Sequence, residues 1–288
     1  MPRIGVMFDR DISPEELPGF AAAVEEAGAD DLWVVEDLGW TGGVSAAAVA
    51  LAATSRLRVG IGIAPAPLRS PALYAMEIAT LARLYPGRVV AGLGHGVPDW
   101  MRQVGVAAKS PLSLLEETVT VVRGLLRGET VTVVGREVQV EGVRLVHPPE
   151  VIPPVVTGVV RPRSLELSGR AADGTILVEG LSPAQITEAI GHLRRGGAGD
   201  EHEVISFAFL HIDDDPDRAA KTSREALAIQ SGFLGVPIEE VFALVGAASD
   251  IPAKVETLVE TGVHTVVLRP FGTDLLGQVR TALAALRR

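Results

Sequence analysis

Eight short apolar runs, each followed by a longer stretch with helical spacing, constrain the fold of this chain more than any other feature. The runs are IGVMF (4–8), DLWVVE (31–36), LRVGIGI (57–63), RVVAGLG (88–94), PVVTG (154–158), GTILVE (174–179), VISFAFLH (204–211) and HTVVLR (264–269). Several are apolar throughout instead of alternating, the pattern of strands buried on both faces of a parallel sheet. Helices are expected at 13–28, 45–55, 71–84, 111–126, 162–172, 182–195, 215–230 and 273–286, with a further short helix near 238–246. Strict strand–helix alternation over 288 residues predicts the α/β class and a closed (β/α)8 TIM barrel. The rival, an open doubly wound sheet, normally carries a Gly-rich turn after its first strand. Here that position reads MFDRDIS (7–13), without glycine.

Helix-start signals agree with this reading. Ser13, Ser182 and Asp215 each precede a proline, a capping residue followed by proline at the first helical position. One region breaks the rhythm. ETVTVVGREVQVEGVRLVHPPEVIPP (129–154) reads as two strands around a Gly-Arg turn, then a Pro-rich linker, and is expected to be a β-hairpin inserted before strand five. A single domain over 1–288 is expected.

Composition narrows the function. The formal net charge of −10 argues against nucleic acid or an anionic membrane as the main partner. The absence of cysteine excludes disulfides, thiolate chemistry and iron–sulfur sites. No apolar run approaches the ~20 residues needed to span a bilayer, and the early acids of MPRIGVMFDRD do not suit a signal peptide. A cytoplasmic protein acting on a small molecule is expected.

In such a barrel the active site lies at the C-terminal ends of the strands. That rule nominates Asp9, then Glu36, Asp37 and Trp40 of VVEDLGWTGG, then Ile63, Ala64 and Pro65. It goes on to Gly94, His95 and Gly96, to Gly158 and the residues after it, and to Glu179, His211 and Arg269. GLGHGVPDW (92–100) lacks the third glycine of a dinucleotide fingerprint, since Val97 stands there. TGVVRPRS (157–164) runs a strand through glycine into a helix start, where free amides favour phosphate. Metal binding is not expected: the six histidines form no HxxH or HxxxH pair. The acids of HIDDDPDR (211–218) fit the first turn of a helix.

TSRLRVGIGIAPAPLRSPALYAMEIATLARLYPGRVVAGLGHG (54–96), with EEAGADDLWVVED (25–37) and LELSGRAADGTI (165–176), resembles the luciferase-like monooxygenase superfamily. Within it the chain is similar to the short F420-dependent oxidoreductase branch that includes methylenetetrahydromethanopterin reductase. The resemblance implies a barrel binding coenzyme F420, with FMN as the alternative, and makes a homodimer the expected assembly. It implies a bulge with a non-proline cis peptide at Gly62-Ile63 or Ile63-Ala64, backing the cofactor ring with Gly94 and His95. It places the phosphate end on Gly158, Val159, Val160, Arg161 and Pro162. Many members carry an acid–histidine pair after the second strand; here Glu36 and Asp37 stand instead. Where the sugar-phosphate dehydrogenases of the family have a glutamate after strand four, this chain has His95. The expected reaction is hydride transfer between the deazaflavin and an electron-poor C=C, C=N or C=O group. Asp37, His95 and Glu36 are the candidate catalytic groups, and Trp40 and Glu179 face the substrate. The alternatives are an FMN-dependent monooxygenase and a non-catalytic flavin- or deazaflavin-binding protein.

Overall fold

A computed structural model describes residues 2–287. Eight strands form the barrel: β1 (Arg3–Phe8), β2 (Asp31–Val34), β3 (Arg58–Ile61), β4 (Val89–Gly94), β5 (Val155–Gly158), β6 (Gly174–Leu177), β7 (Glu203–Ile212) and β8 (Thr265–Pro270). Each pairs in parallel with its chain neighbours, and β8 with β1 (Ile4 opposite Val266, Val6 opposite Leu268) closes the ring. Ala64–Pro65 extends β3 past an interruption and pairs with Leu93 and Gly94 of β4. That interruption contains the cis peptide Gly62–Ile63.

Two cores result from the two faces of the strands. Met7, Trp33, Val90, Val156, Ile176, Ile205, Phe207 and Val267 fill the barrel interior. The opposite faces pack against the helices, with Val6, Leu32, Val59, Ala91, Val155, Leu177 and Leu268 among the buried residues. Trp33 is fully buried and meets Phe207 edge to face at 5.6 Å. The indole occupies the space a neighbouring side chain would need: a Cβ on Gly60 would lie 2.4 Å from its ring. This accounts for the glycine in mid-strand.

The hairpin is present as Val131–Val134 against Gln139–Val143, antiparallel, between Pro111–Leu126 and β5. Ser182 forms a reciprocal capping box with Gln185, and Asp215 accepts from the amides of Asp217 and Arg218. Ser13 makes no such cap; Pro14–Glu16 is a 3-10 turn ahead of the helix Leu17–Ala27. The region after β7 departs from expectation. Instead of a short helix over 238–246, a 3-10 turn (Ile238–Glu240) leads to a strand, Leu244–Gly246, parallel to Leu210–Ile212. The unforeseen helix Ile251–Glu260 follows, with Ile251, Val255 and Leu258 buried at helical spacing. A second unforeseen helix, Pro98–Gln103, follows β4. Among the described residues no helix is long and apolar enough to cross a membrane.

Candidate functional site

The strand ends converge on a cavity of about 280 Å³ at the C-terminal mouth. Gly62, Ile63, Gly158, Val159, Val160, Asp37 and Glu179, all nominated from the sequence, line it. Met7, Arg10, Val35, Ile176, Val178, Phe207 and Arg269 complete the wall.

The adjacent acids Glu36 and Asp37 part company. Past the end of β2 the two side chains go to opposite sides. Val35 and Asp37 face the cavity. Glu36 is buried away from that lining; its carboxylate accepts from Arg69 at 2.9 Å and from the Gly43 amide at 2.7 Å. Gly43 opens the helix Gly43–Ala53, so Glu36 places a negative charge at a helix N-terminus. Asp37 instead pairs with Arg10, Nη1 to Oδ2 at 2.7 Å.

The cavity's other charged group is three-membered. Arg269 donates from Nε to Asp9 at 2.7 Å and from Nη1 to Glu179 at 2.9 Å. Burial pushes the Arg269 pKa down, but the two carboxylates outweigh it and hold the guanidinium charged.

His95 does not line the cavity. Its Nε2 lies 2.9 Å from Ser164 Oγ, on the first turn of the helix Pro162–Ala171. Burial pushes its pKa below the ordinary value, partly offset from the Pro111 backbone. That helix has no side-chain cap, and Arg161 at its N-cap is exposed. Its first amides, next to the Val159–Val160 turn, therefore have no side-chain partner. Pro162 borders a smaller neighbouring cavity that shares Val159 and Val160.

Ala64 is buried in the strand extension. Gly94 makes room for Ile63: a Cβ there would lie 2.8 Å from Ile63 Cδ1. Trp40 is 46% exposed, stands over Arg10 at 4.6 Å and tilts against Trp100 at 5.9 Å. Trp33, by contrast, lies inside the barrel with Gly62 against it, beneath the mouth and not at it.

Sequence reasoning overlooked Arg10, though it follows β1 directly and the strand-end rule reaches it. Met7, Val35, Ile176, Val178 and Phe207 were legible only as strand residues. Their inward direction depends on register.

A closed parallel barrel with an apolar slot and fixed charges at its C-terminal mouth defines a ligand-binding (β/α)8 architecture of the enzyme type. The profile of the luciferase-like monooxygenase family matches residues 1–239, and the chain belongs to that family. It is 30% identical over 237 residues to an F420-dependent glucose-6-phosphate dehydrogenase of Nakamurella multipartita, covering 75% of this chain and 70% of that protein. It is 26% identical over 232 residues to 5,10-methylenetetrahydromethanopterin reductase of Archaeoglobus fulgidus, covering 78% and 69%. Among solved structures, the coenzyme F420-dependent tetrahydromethanopterin reductase from Methanopyrus kandleri superposes with a TM-score of 0.89 at 20% identity, over 99% of this chain and 98% of that one.

Proposed function

We propose that the protein is an F420-dependent oxidoreductase that moves a hydride between the deazaflavin and a small organic substrate. The observation that carries this is the mouth cavity itself, with the Gly62–Ile63 interruption on one side and the Gly158–Val160 turn beside it. Its lining suits a flat ring: Ile63, Val159, Ile176 and Phe207 are apolar. The uncapped helix start after Val160, flanked by Arg161 and Arg163, suits an anionic tail. When bound, coenzyme F420 supplies the redox chemistry. Names of the curated relatives support F420 over FMN.

The chain's own residues have distinct tasks. Gly62 and Ile63 back the ring, while Val159, Val160, Arg161 and Pro162 receive the tail. His95 steadies Ser164 and through it the start of that helix. Asp37, the carboxylate of the lining paired only with a partly exposed arginine, handles the substrate proton. Arg269 is held between Asp9 and Glu179 and gives the wall a fixed positive charge. We further propose a cytoplasmic homodimer, in line with the lack of cysteines and the family resemblance.

Separate titrations with oxidised F420 and FMN, followed by tryptophan emission, test the assignment. F420 is expected to bind tighter and to quench; tighter FMN binding, with oxygen uptake on reduction, would establish the monooxygenase reading instead. Tight F420 binding without hydride exchange would identify a binding protein. Asp37→Asn is expected to lower kcat by about 10²-fold or more, whereas His95→Ala raises the Kd for F420 and leaves kcat within a few-fold. Unchanged turnover in Asp37→Asn would remove it from proton handling.

A further inference from the structure

Two arginines line the cavity, and their hydrogen bonding differs. Arg269 is held at two nitrogens, Nε by Asp9 and Nη1 by Glu179, which leaves Nη2, and its Cζ lies 5.2 Å from the centre of the Phe209 ring. Arg10 gives only Nη1, to Asp37. Its Nε is out of solvent and without a hydrogen-bond partner. Nε and Nη2 together form the guanidinium edge that meets a carboxylate side-on through two parallel N–H···O bonds. A buried donor left unpaired is costly, and an acceptor that reaches it as the wall around it shifts recovers that cost.

The surroundings fit a ligand on that edge. Arg10 follows β1, four strands around the ring from β5, so it faces the Gly158–Val160 turn across the mouth. The proposed cofactor wall and Arg10 thus lie on opposite sides of one slot. Trp40 covers the guanidinium face and is tethered by its Nε1–H to Asp11 at 3.2 Å and by Trp100. Loops after β1, β2 and β4 therefore meet at this one side chain. Apart from Arg269, which two carboxylates already hold, the lining offers no serine, threonine, tyrosine, lysine or histidine that could recognise an oxygen instead.

We infer that Arg10 selects the substrate, and that the cavity takes a small organic acid whose carboxylate binds side-on to Nε and Nη2. Its apolar body lies against Val35, Ile176 and Phe207. One free edge matches a singly charged carboxylate. This rests on the reading of the cavity as the reacting site, and it gives that site a substrate class.

Benzoate and its uncharged isostere benzamide are the probes, titrated against cofactor-free and F420-loaded protein with tryptophan emission as readout. Benzoate is expected to bind at least tenfold tighter than benzamide. Arg10→Gln should weaken benzoate at least tenfold and leave benzamide unchanged. Asp37→Asn should tighten benzoate severalfold, because a competing carboxylate is gone. Equal binding of the two probes, or equal weakening of benzoate by both substitutions, would overturn the inference. The Asp37→Asn arm keeps the test decisive even where Arg10→Gln folds poorly. F420 failing to bind while benzoate recognition persists would instead sink the cofactor reading and leave Arg10's role standing.

Discussion

The barrel carries arginine–carboxylate groups at both ends, and the Arg10–Asp37 pair at the mouth is completed differently from the network at the floor. At the N-terminal floor, Asp31 is fully buried and accepts from Arg3 and Arg58, with Arg3 Nη2 at 2.6 Å and Arg58 Nη2 at 2.7 Å. Arg58 also donates to Glu203 at 2.6 Å and 2.9 Å, and Thr265 Oγ1 donates to Glu203 at 2.7 Å. At the mouth, Arg10 and Asp37 share one bond, are 32% and 29% exposed, and leave Arg10 Nε unpaired. A network with its bonds made inside the protein serves stability. One with donors in reserve suits a ligand, in keeping with the usual division of labour between the two ends of this fold.

Titration follows the same division. Burial pushes the Glu203 carboxyl up, but its bonds to Arg58 and Thr265 and the charges of Arg58 and Arg3 outweigh it and hold the group below its ordinary value. Also at the floor, His202 is pushed down by burial and bonds Thr175 Oγ1 at 2.8 Å. Thr175 in turn meets Ser168 and, through it, Thr157.

The comparison breaks most readily at Arg58. Arg58→Met removes the cation that Asp31 and Glu203 share and is expected to cost about 3–5 kcal/mol in chemical denaturation. Arg10→Met breaks a partly exposed pair and should cost ~0–1 kcal/mol. Comparable losses would erase the distinction between floor and mouth. Gly158→Ala sharpens it. A Cβ there would lie 2.6 Å from Ile63 Cγ2, and displacing that side chain costs about 1–3 kcal/mol. The larger consequence is expected in binding, with the Kd for F420 raised at least tenfold.

The smallest effect is a pH dependence of the floor. His202 has its folded pKa below the ordinary 6.5, so as pH falls past that value the unfolded chain takes the proton first and stability declines. Glu203, held below 4.5, adds a second decline as pH falls past that point. Thermal melts from about pH 8 down to about pH 2.5 should show both limbs. His202→Gln should flatten the upper one, and Arg58→Met the lower one. An upper limb unchanged by His202→Gln would assign it to another histidine.

Much of the architecture was legible along the chain. All eight barrel strands coincide with apolar runs, because burial on both faces demands uniform side chains whatever the neighbours are. Ser182-Pro183 and Asp215-Pro216 marked helix starts by local chemistry alone. The family resemblance implied a cis peptide at Gly62–Ile63 or Ile63–Ala64, and the structure has it at the first. The segment over 238–260 was obscured because its short strand survives only by pairing with β7, a distant partner.

The site shows where linear reading ends. That acids stand at the close of β2 follows from the order of residues. Which acid looks into the slot depends on the twist of the chain beyond Val34 and on Arg69 and Gly43 capturing Glu36. His95 reads as a mouth residue by its place after β4, yet Ser164, 69 positions away, draws its ring aside. Arg10 carries no motif; its significance comes from Asp37 and Trp40 being brought to it by two other loops. Local propensity and burial are properties of neighbouring residues and can be read in order. The direction of a side chain and the completeness of its hydrogen bonds depend on residues far along the chain, so they exist only once the barrel has closed.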